Sequence, residues 1–253
     1  MAQLNTDELT QADEAFAGNG LLSTFPREAR ALIEPFGNLV ELAPGEIILR
    51  RGDQVRSSLF PVGPTMITMM IELAGGRSIE VASIGKGGAV GGIVSCGHAP
   101  AFTRAEVLVG GRAYSVSMAA LEAAKSRSGF IGNLFCRYSD YLLSTVMQSV
   151  ACNAFHSIPE RTARWLLYVQ DRAGDRIELT QEALAQLLGV QRTTVNAVIQ
   201  ELSSEGVIAT GRGIVRVIDR AGLKRRACEC YDRLQEHYAA VIGAGGRGAQ
   251  VDG

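Results

Sequence analysis

The chain has 253 residues, 47% of them hydrophobic, and a formal net charge of −1. That suffices for one large core or two ordinary ones, while the near-neutral balance weighs mildly against strong nonspecific attraction to polyanions, since a DNA binder need be basic on only one face. The five cysteines are odd in number and form no CxxC pair, which fits reduced thiols better than a disulfide framework, and the sequence reads without a leader or a membrane-length apolar run, so a cytoplasmic protein without membrane contact is expected.

Residues 1–20 are polar and small, and read as a flexible arm with at most a helical turn around Asp7 to Phe16. From Leu21 the character changes. Leu22, Phe25, Ala29, Leu32, Ile33 and Phe36 follow a helical repeat, with Ser23 or Thr24 as cap and Pro26 in the first turn. Between residues 39 and 118 the pattern is all β. Leu39-Val40, Ile47 to Leu49, Met66 to Ile71, Ile79 to Ile84 and Tyr114 to Val116 alternate with Pro44-Gly45, Arg51-Gly52-Asp53, Gly63-Pro64, Gly75-Gly76 and Gly85 to Gly88, which predicts a sandwich or rolled barrel.

Two stretches in this β region carry candidate chemistry. The glycine-rich run from Lys86 to Gly92 can cradle an anion on backbone amides, with tight strand turns as the competing and favoured reading. Cys96-Gly97-His98 pairs a thiolate with an imidazole, both haem ligands, against an ordinary exposed loop.

A long helix is predicted from Ile131 to Asn153. Ile131, Phe135, Tyr138, Leu142, Thr145, Ser149 and Cys152 recur by four and three, a stripe that a partner helix would cover; packing on the chain's own β domain is the competing use. Cys152 to His156 forms a hinge, His156 serving to cap or pack. Ser157-Ile158-Pro159-Glu160 is a capping box that starts a new helix through Trp165, Leu166 and Val169.

Thr180 to Leu188 is a short helix stopped by Gly189, and Arg192 to Ser204 a second, with Val195, Val198, Ile199 and Leu202 inward. This is a helix-turn-helix, a geometry that puts the start of the second helix into the major groove of DNA. Thr180, Gln181, Gln191, Arg192, Thr193, Thr194, Asn196 and Gln200 are the candidate contacts: a guanidinium that forks onto guanine, amides that pair with adenine, hydroxyls for bases or phosphates. Val207-Ile208, a glycine turn carrying Arg212, and Ile214 to Ile218 read as a β-wing, its tip placed for phosphate. A final helix starts at Asp219 and contains Leu223, Ala227, Tyr231 and Leu234, with Lys224, Arg225 and Arg226 outward. The glycine-rich tail from residue 243 is expected to be disordered.

Thr180 to Ile208 with its wing resembles the DNA-binding half of the Crp/Fnr family of bacterial regulators. Pro44 to Ile48, Arg51-Gly52-Asp53, Phe60-Pro61, Gly76 to Val81 and Ile84-Gly85 resemble the family's cyclic-nucleotide-binding β-roll. The resemblance implies an α+β chain: a flexible arm (1–20), a β-roll sensor domain (21–127), a dimerisation helix and hinge (128–156), a winged helix-turn-helix (157–240) and a disordered tail (241–253). It implies a homodimeric, sequence-specific transcription regulator, with a roughly two-fold symmetric DNA operator as partner and RNA polymerase as a candidate third party. Binding gated by a small molecule in the β-roll is the alternative.

Departures from the family pattern matter. Where cyclic-AMP-binding members carry a ribose-binding glutamate, this chain has Gly91-Gly92-Ile93, and where they carry a phosphate-binding arginine it has Arg104 followed by Ala105 and Glu106. Cyclic AMP is therefore not expected, and Lys86, Gly91, Gly92 and Arg104 remain as pocket candidates for another nucleotide. No metal site is expected, and haem only through Cys96 and His98. In the recognition helix the family's arginine is kept as Arg192, but Thr193 and Ala197 replace a glutamate and a second arginine, which predicts an unfamiliar half-site. An enzyme is not expected: HExxH, GxSxG and P-loop motifs are absent, and His98, His156 and His237 lie in unrelated segments.

Overall fold

The short apolar runs between the glycine and proline turns become seven antiparallel strands in the computed structural model, which describes residues 6–93 and 99–243. These are β1 (Gly37–Leu42), β2 (Ile47–Leu49), β3 (Ser57–Val62), β4 (Met66–Glu72), β5 (Ser78–Ile84), β6 (Arg104–Val109) and β7 (Gly111–Ser117). They form two sheets, ordered β1-β7-β3 and β2-β6-β4-β5. Leu42, Leu59 and Ala113 of the first meet Ile67, Ala82, Ala105 and Val107 of the second, so the sheets roll around a common apolar interior. Strands β3 and β6 are additions to the runs read from sequence. Cys96 to His98 lie outside the described residues, as do residues 1–5 and 244–253.

The N-terminal segment is not an arm. Helix α1 (Thr6–Gly18) packs Ala12, Ala15 and Phe16 into the core. Phe16 meets Phe25 and Tyr114 edge-on, each at 5.9 Å between ring centres. Asn19, fully buried, donates to the Pro61 and Gly88 carbonyls at 2.9 Å, and its own carbonyl oxygen accepts from the Leu21 amide at 3.0 Å. Small residues carry most of this buried face, which is why the polar composition concealed it. The helical repeat over residues 22–36, expected to give a helix or two, forms a 3-10 turn (Leu22–Thr24), α2 (Arg27–Arg30) and a second 3-10 turn (Glu34–Phe36), because Pro26 and Pro35 deny continuous backbone pairing.

Helix α3 (Met118–Arg127) leads through Ser128 into α4 (Gly129–Phe155), the long helix. Ser128 accepts from the Ile131 amide at 3.4 Å, and α4 runs without interruption to the hinge. Its apolar stripe is spent within the chain. Ile131, Phe135, Tyr138 and Thr145 are buried and Leu142 and Ser149 partly so, the first three against the core that α1 shares with the β-roll. The dimerisation face expected there is therefore an intramolecular one. Tyr138 fixes the contact: its hydroxyl donates to the Ala89 carbonyl at 3.1 Å and accepts the Ala89 amide at 2.8 Å.

Beyond the capping box at Ser157, α5 (Ile158–Ala173), β8 (Arg176–Glu178), α6 (Gln181–Leu188), α7 (Arg192–Ser204), β9 (Ile208–Gly211) and β10 (Ile214–Val217) form the second domain. The single final helix divides into α8 (Arg220–Arg226) and α9 (Cys230–Val241), with a break at Ala227 to Glu229. Helix α9 returns to the first domain, where Tyr238 donates to the Gly87 carbonyl at 2.8 Å. Ile242 is 2% exposed inside the N-terminal core, so order extends past the expected boundary at residue 241. The domains also meet along β5, where the Trp165 indole donates to Glu80 at 2.7 Å and the Tyr168 hydroxyl donates to the Ser83 carbonyl. No helix among the described residues is long and apolar enough to cross a membrane.

Two outcomes test these contacts. Phe16→Ala should lower unfolding stability by about 3–5 kcal/mol, the usual result of truncating a buried ring; urea denaturation that leaves stability unchanged would return the segment to an arm. Burial raises the Glu80 carboxyl above its ordinary pKa, despite the Trp165 hydrogen bond and the nearby Arg164 and Arg172. A raised acid favours the fold below its unfolded pKa and loses that contribution as pH rises through the folded one. Glu80→Gln keeps the acceptor without the charge, so thermal melts should show a gain at neutral pH that disappears below about pH 4.

Candidate nucleic-acid interface

Thr180 opens α6 as its N-cap, its hydroxyl accepting the Ala183 amide at 3.1 Å, so that oxygen is committed to the helix. Leu184, Ala185, Leu187 and Leu188 face the core. Gly189 closes the helix at φ 68°, a left-handed conformation that an L side chain adopts only with strain. A Cβ there would also lie 2.9 Å from Ile79 Cδ1 of the β-roll. After this corner α7 starts at Arg192 and buries Val195, Val198, Ile199 and Leu202.

The other side of α7 is open. Gln191, Arg192, Thr193, Thr194, Ala197 and Gln200 are exposed and Asn196 is half-buried, so the candidate readers share one face. Gln191 makes no side-chain cap bond, which leaves the first amides of the helix and its positive dipole end available to an anion. Gln181 lies in the first turn of α6 and lines a groove with Arg192, Thr210 and Gly211. The wing is a three-stranded sheet, ordered β8-β10-β9, with β8 as an extra strand. Gly211 pairs with Ile214, so the hairpin loop is Arg212-Gly213 and the Arg212 side chain is exposed at its tip.

The cations of α8 are used differently. Lys224 pairs with Asp232 at 2.9 Å, Arg225 with Asp219 at 3.6 Å, and Arg226 with Glu201 and Glu205. Their charge is balanced within the domain. Arg192 and Arg212, like Arg216 on β10, are exposed and enter no ion pair among the described residues, so their charge is unbalanced by a neighbouring carboxylate.

The four residues offered as a ligand pocket do not assemble. Arg104 is held by Glu72 at 3.0 Å and Glu106 at 3.1 Å, and lines the seam between the β-roll and α6. A guanidinium shared between two carboxylates is poorly placed to receive a phosphate. Gly91 backs onto the Ser57 carbonyl, and Gly92 lies beside it at φ 61°. Lys86 lines a separate cleft of about 370 Å³ between the Gly85–Gly88 turn, α4, α5 and α9, walled by Tyr138, Tyr141, Tyr168, Arg172 and Tyr238.

Comparison with known proteins agrees with this geometry. Residues 160–226 match the model of the Crp-like helix-turn-helix domain. These residues form such a domain, in a chain of Crp/Fnr fold. Over 71 residues the chain is 38% identical to the HTH-type transcriptional regulator Cmr of Mycobacterium tuberculosis, a match spanning 28% of each protein. A crp/fnr-family regulator from Eubacterium rectale superposes with a TM-score of 0.64 at 19% identity, covering 81% of this chain and 96% of that one. FixK2 from Bradyrhizobium japonicum gives 0.64 at 16% identity, covering 76% and 98%. The family-model match thus lies in the helix-turn-helix domain, while the likeness to these solved structures is one of fold.

Proposed function

We propose that this Crp/Fnr-type chain is a sequence-specific DNA-binding transcription regulator that works as a homodimer. The observation that carries the reading is the exposed run from Gln191 to Thr194 at the unblocked start of α7, with Arg212 free at the adjoining wing tip. Phosphate contacts at helix ends and wing would position the domain. Arg192, Asn196 and Gln200 would read base edges, with Thr193 beside them. The reading implies double-stranded DNA, a second copy and, at a promoter, RNA polymerase as partners, in the cytoplasm.

Pairing is required because one helix-turn-helix reads only a half-site, and dimers set two such helices about 34–36 Å apart. The free side of α4 suits this. Leu143, Met147 and Val150 are 54%, 60% and 66% exposed, and with Cys136, Asp140 and Ala154 they repeat by four and three. That is the seam of a parallel helix pair, turned away from the stripe that packs on the β-roll.

A ligand-gated version of the same function is favoured by the tyrosine-walled cleft, since an occupant would touch the β-roll, α4, α5 and α9 together and bias their arrangement. Mass spectrometry and an absorption spectrum of the purified protein would reveal a retained nucleotide or haem. Protein that emerges without either, and whose operator binding ignores added cell-extract metabolites, would exclude gating.

For the DNA contacts, Arg192→Ala should weaken operator binding by about 1–3 kcal/mol and relax preference at one base pair, while Arg212→Ala weakens all sequences alike. Equal losses on every sequence for both variants would remove Arg192 from base reading. For the seam, Met147→Glu should convert the dimer to monomer in sedimentation and abolish binding to a two-fold operator. A variant that stays dimeric would place the interface elsewhere.

A further inference from the structure

The end of the long helix and the turn between α8 and α9 converge on a group of side chains that DNA reading does not use. Cys152 and His156 come from the last turn of α4 and the hinge; Cys228 comes from the break before α9, and Cys230 is the first residue of α9. Three sulfurs and one imidazole nitrogen lie within 4.8 Å of one another. We propose that Cys152, His156, Cys228 and Cys230 form a tetrahedral Zn²⁺ site that pins the hinge to the C-terminal helices.

The spacing is that of a coordination shell. Cys152 Sγ and Cys228 Sγ are 3.6 Å apart, and Cys230 Sγ is 3.5 Å from His156 Nδ1. An ion bonded to sulfur at about 2.3 Å and to nitrogen at about 2.0–2.1 Å sets tetrahedral edges of about 3.8 Å for S···S and about 3.6 Å for S···N. A disulfide would need its sulfurs at about 2.0 Å. The gap between the sulfurs fits an ion between them better than a bond.

The surroundings fit the same reading. His156 turns Nδ1 to the thiols and Nε2 to Glu229 Oε2 at 3.1 Å, the carboxylate–histidine arrangement that fixes a ligating ring. The Gln148 amide donates to Cys230 Sγ at 3.0 Å, a bond suited to a thiolate. Three thiolates and one Zn²⁺ leave one net negative charge, and Arg161 and Arg164 stand close enough to act on the Cys152 sulfur. Simple apolar packing explains buried thiols, but not a histidine and an amide aimed at them. Cys₃His with soft sulfur donors is a donor set that zinc takes in structural sites. Loading releases the thiol protons to solvent and requires no oxidant.

Untagged protein purified from zinc-containing medium should carry one zinc per chain by inductively coupled plasma mass spectrometry. The double variant Cys228→Ser/Cys230→Ser should carry almost none, whereas Cys136→Ser, at the exposed cysteine of α4, should match the wild type. Glu229→Gln should keep the stoichiometry and weaken zinc affinity by about 10–100-fold. Because ligand variants can fail to fold, chelator-stripped wild-type protein titrated with Co²⁺ supplies an independent readout: thiolate-to-cobalt charge transfer and tetrahedral d–d absorption, bleached by one equivalent of Zn²⁺. Stripped protein that gives no such spectrum would overturn the proposal. So would purified protein holding a Cys152–Cys228 disulfide, or iron or copper in place of zinc.

Discussion

Everything in this molecule depends on how α4 lies against its own β-roll. Tyr138 is fully buried, and its hydroxyl both donates to and accepts from the backbone of Ala89. The ring can come this close because residue 88 is glycine; a Cβ there would sit 2.2 Å from the hydroxyl oxygen. With Ile131, Leu134 and Phe135 also buried, one face of the helix is consumed and its rotation about its own axis is set. The opposite face, with Leu143, Met147 and Val150, is then the one left outward, and the far end of the helix determines where the reader domain begins.

That placement is reinforced from the other side. Strand β4 contributes Met66 and Met70 to the reader core, so the two domains share apolar packing as well as the Trp165–Glu80 bond. Helix α9 closes the loop by running back along α4, where Arg137 donates to the Val241 carbonyl at 3.2 Å and Tyr141 meets Tyr238 at 5.0 Å between ring centres. Arg220, Asp171 and Tyr231 join α8, α5 and α9 through contacts of 2.8 Å and 2.6 Å. A reader held at the hinge, at β5 and through α9 cannot swing freely. Any change in its orientation must break a specific set of contacts, which is what makes a two-state response physically available.

The reader domain was legible in the sequence because each of its signals is local: a capping threonine, a left-handed glycine, apolar residues at helical spacing, a glycine turn in the wing. Signals that depend on what lies across the fold were not. Ala12, Ala15 and Phe16 make too small a stripe to announce a buried helix, and only the β-roll beneath gives them a partner. The spacing of the stripe on α4 says that a face is covered but not by what, and Ile131, Phe135 and Tyr138 are in fact covered by the chain's own β-roll core. Cys152 and His156 are one turn apart on a helix, a visible pair, but Cys228 and Cys230 lie 76 and 74 residues away from their respective contacts. Sequence spacing alone could not join the two pairs.

The composition of the exposed face of α7 has its own consequence for how the proposed DNA reader would discriminate. Thr193 and Ala197 are both exposed where the family pattern has a glutamate and an arginine. Each well-made bidentate contact is worth about 1–3 kcal/mol of base discrimination, so one copy has fewer strong readers to spend. A hydroxyl and a methyl still distinguish bases, the methyl through contact with thymine, but more weakly. Phosphate attraction offers limited compensation, because the chain carries a net charge of −1 and the α8 cations are paired internally. If two copies pair through the outward face of α4, as proposed above, specificity comes from doubling a modest half-site. In such a pair the gains add only if the two helices keep a fixed separation, and the contacts that hold the second domain against α4 and β5 would supply that stiffness.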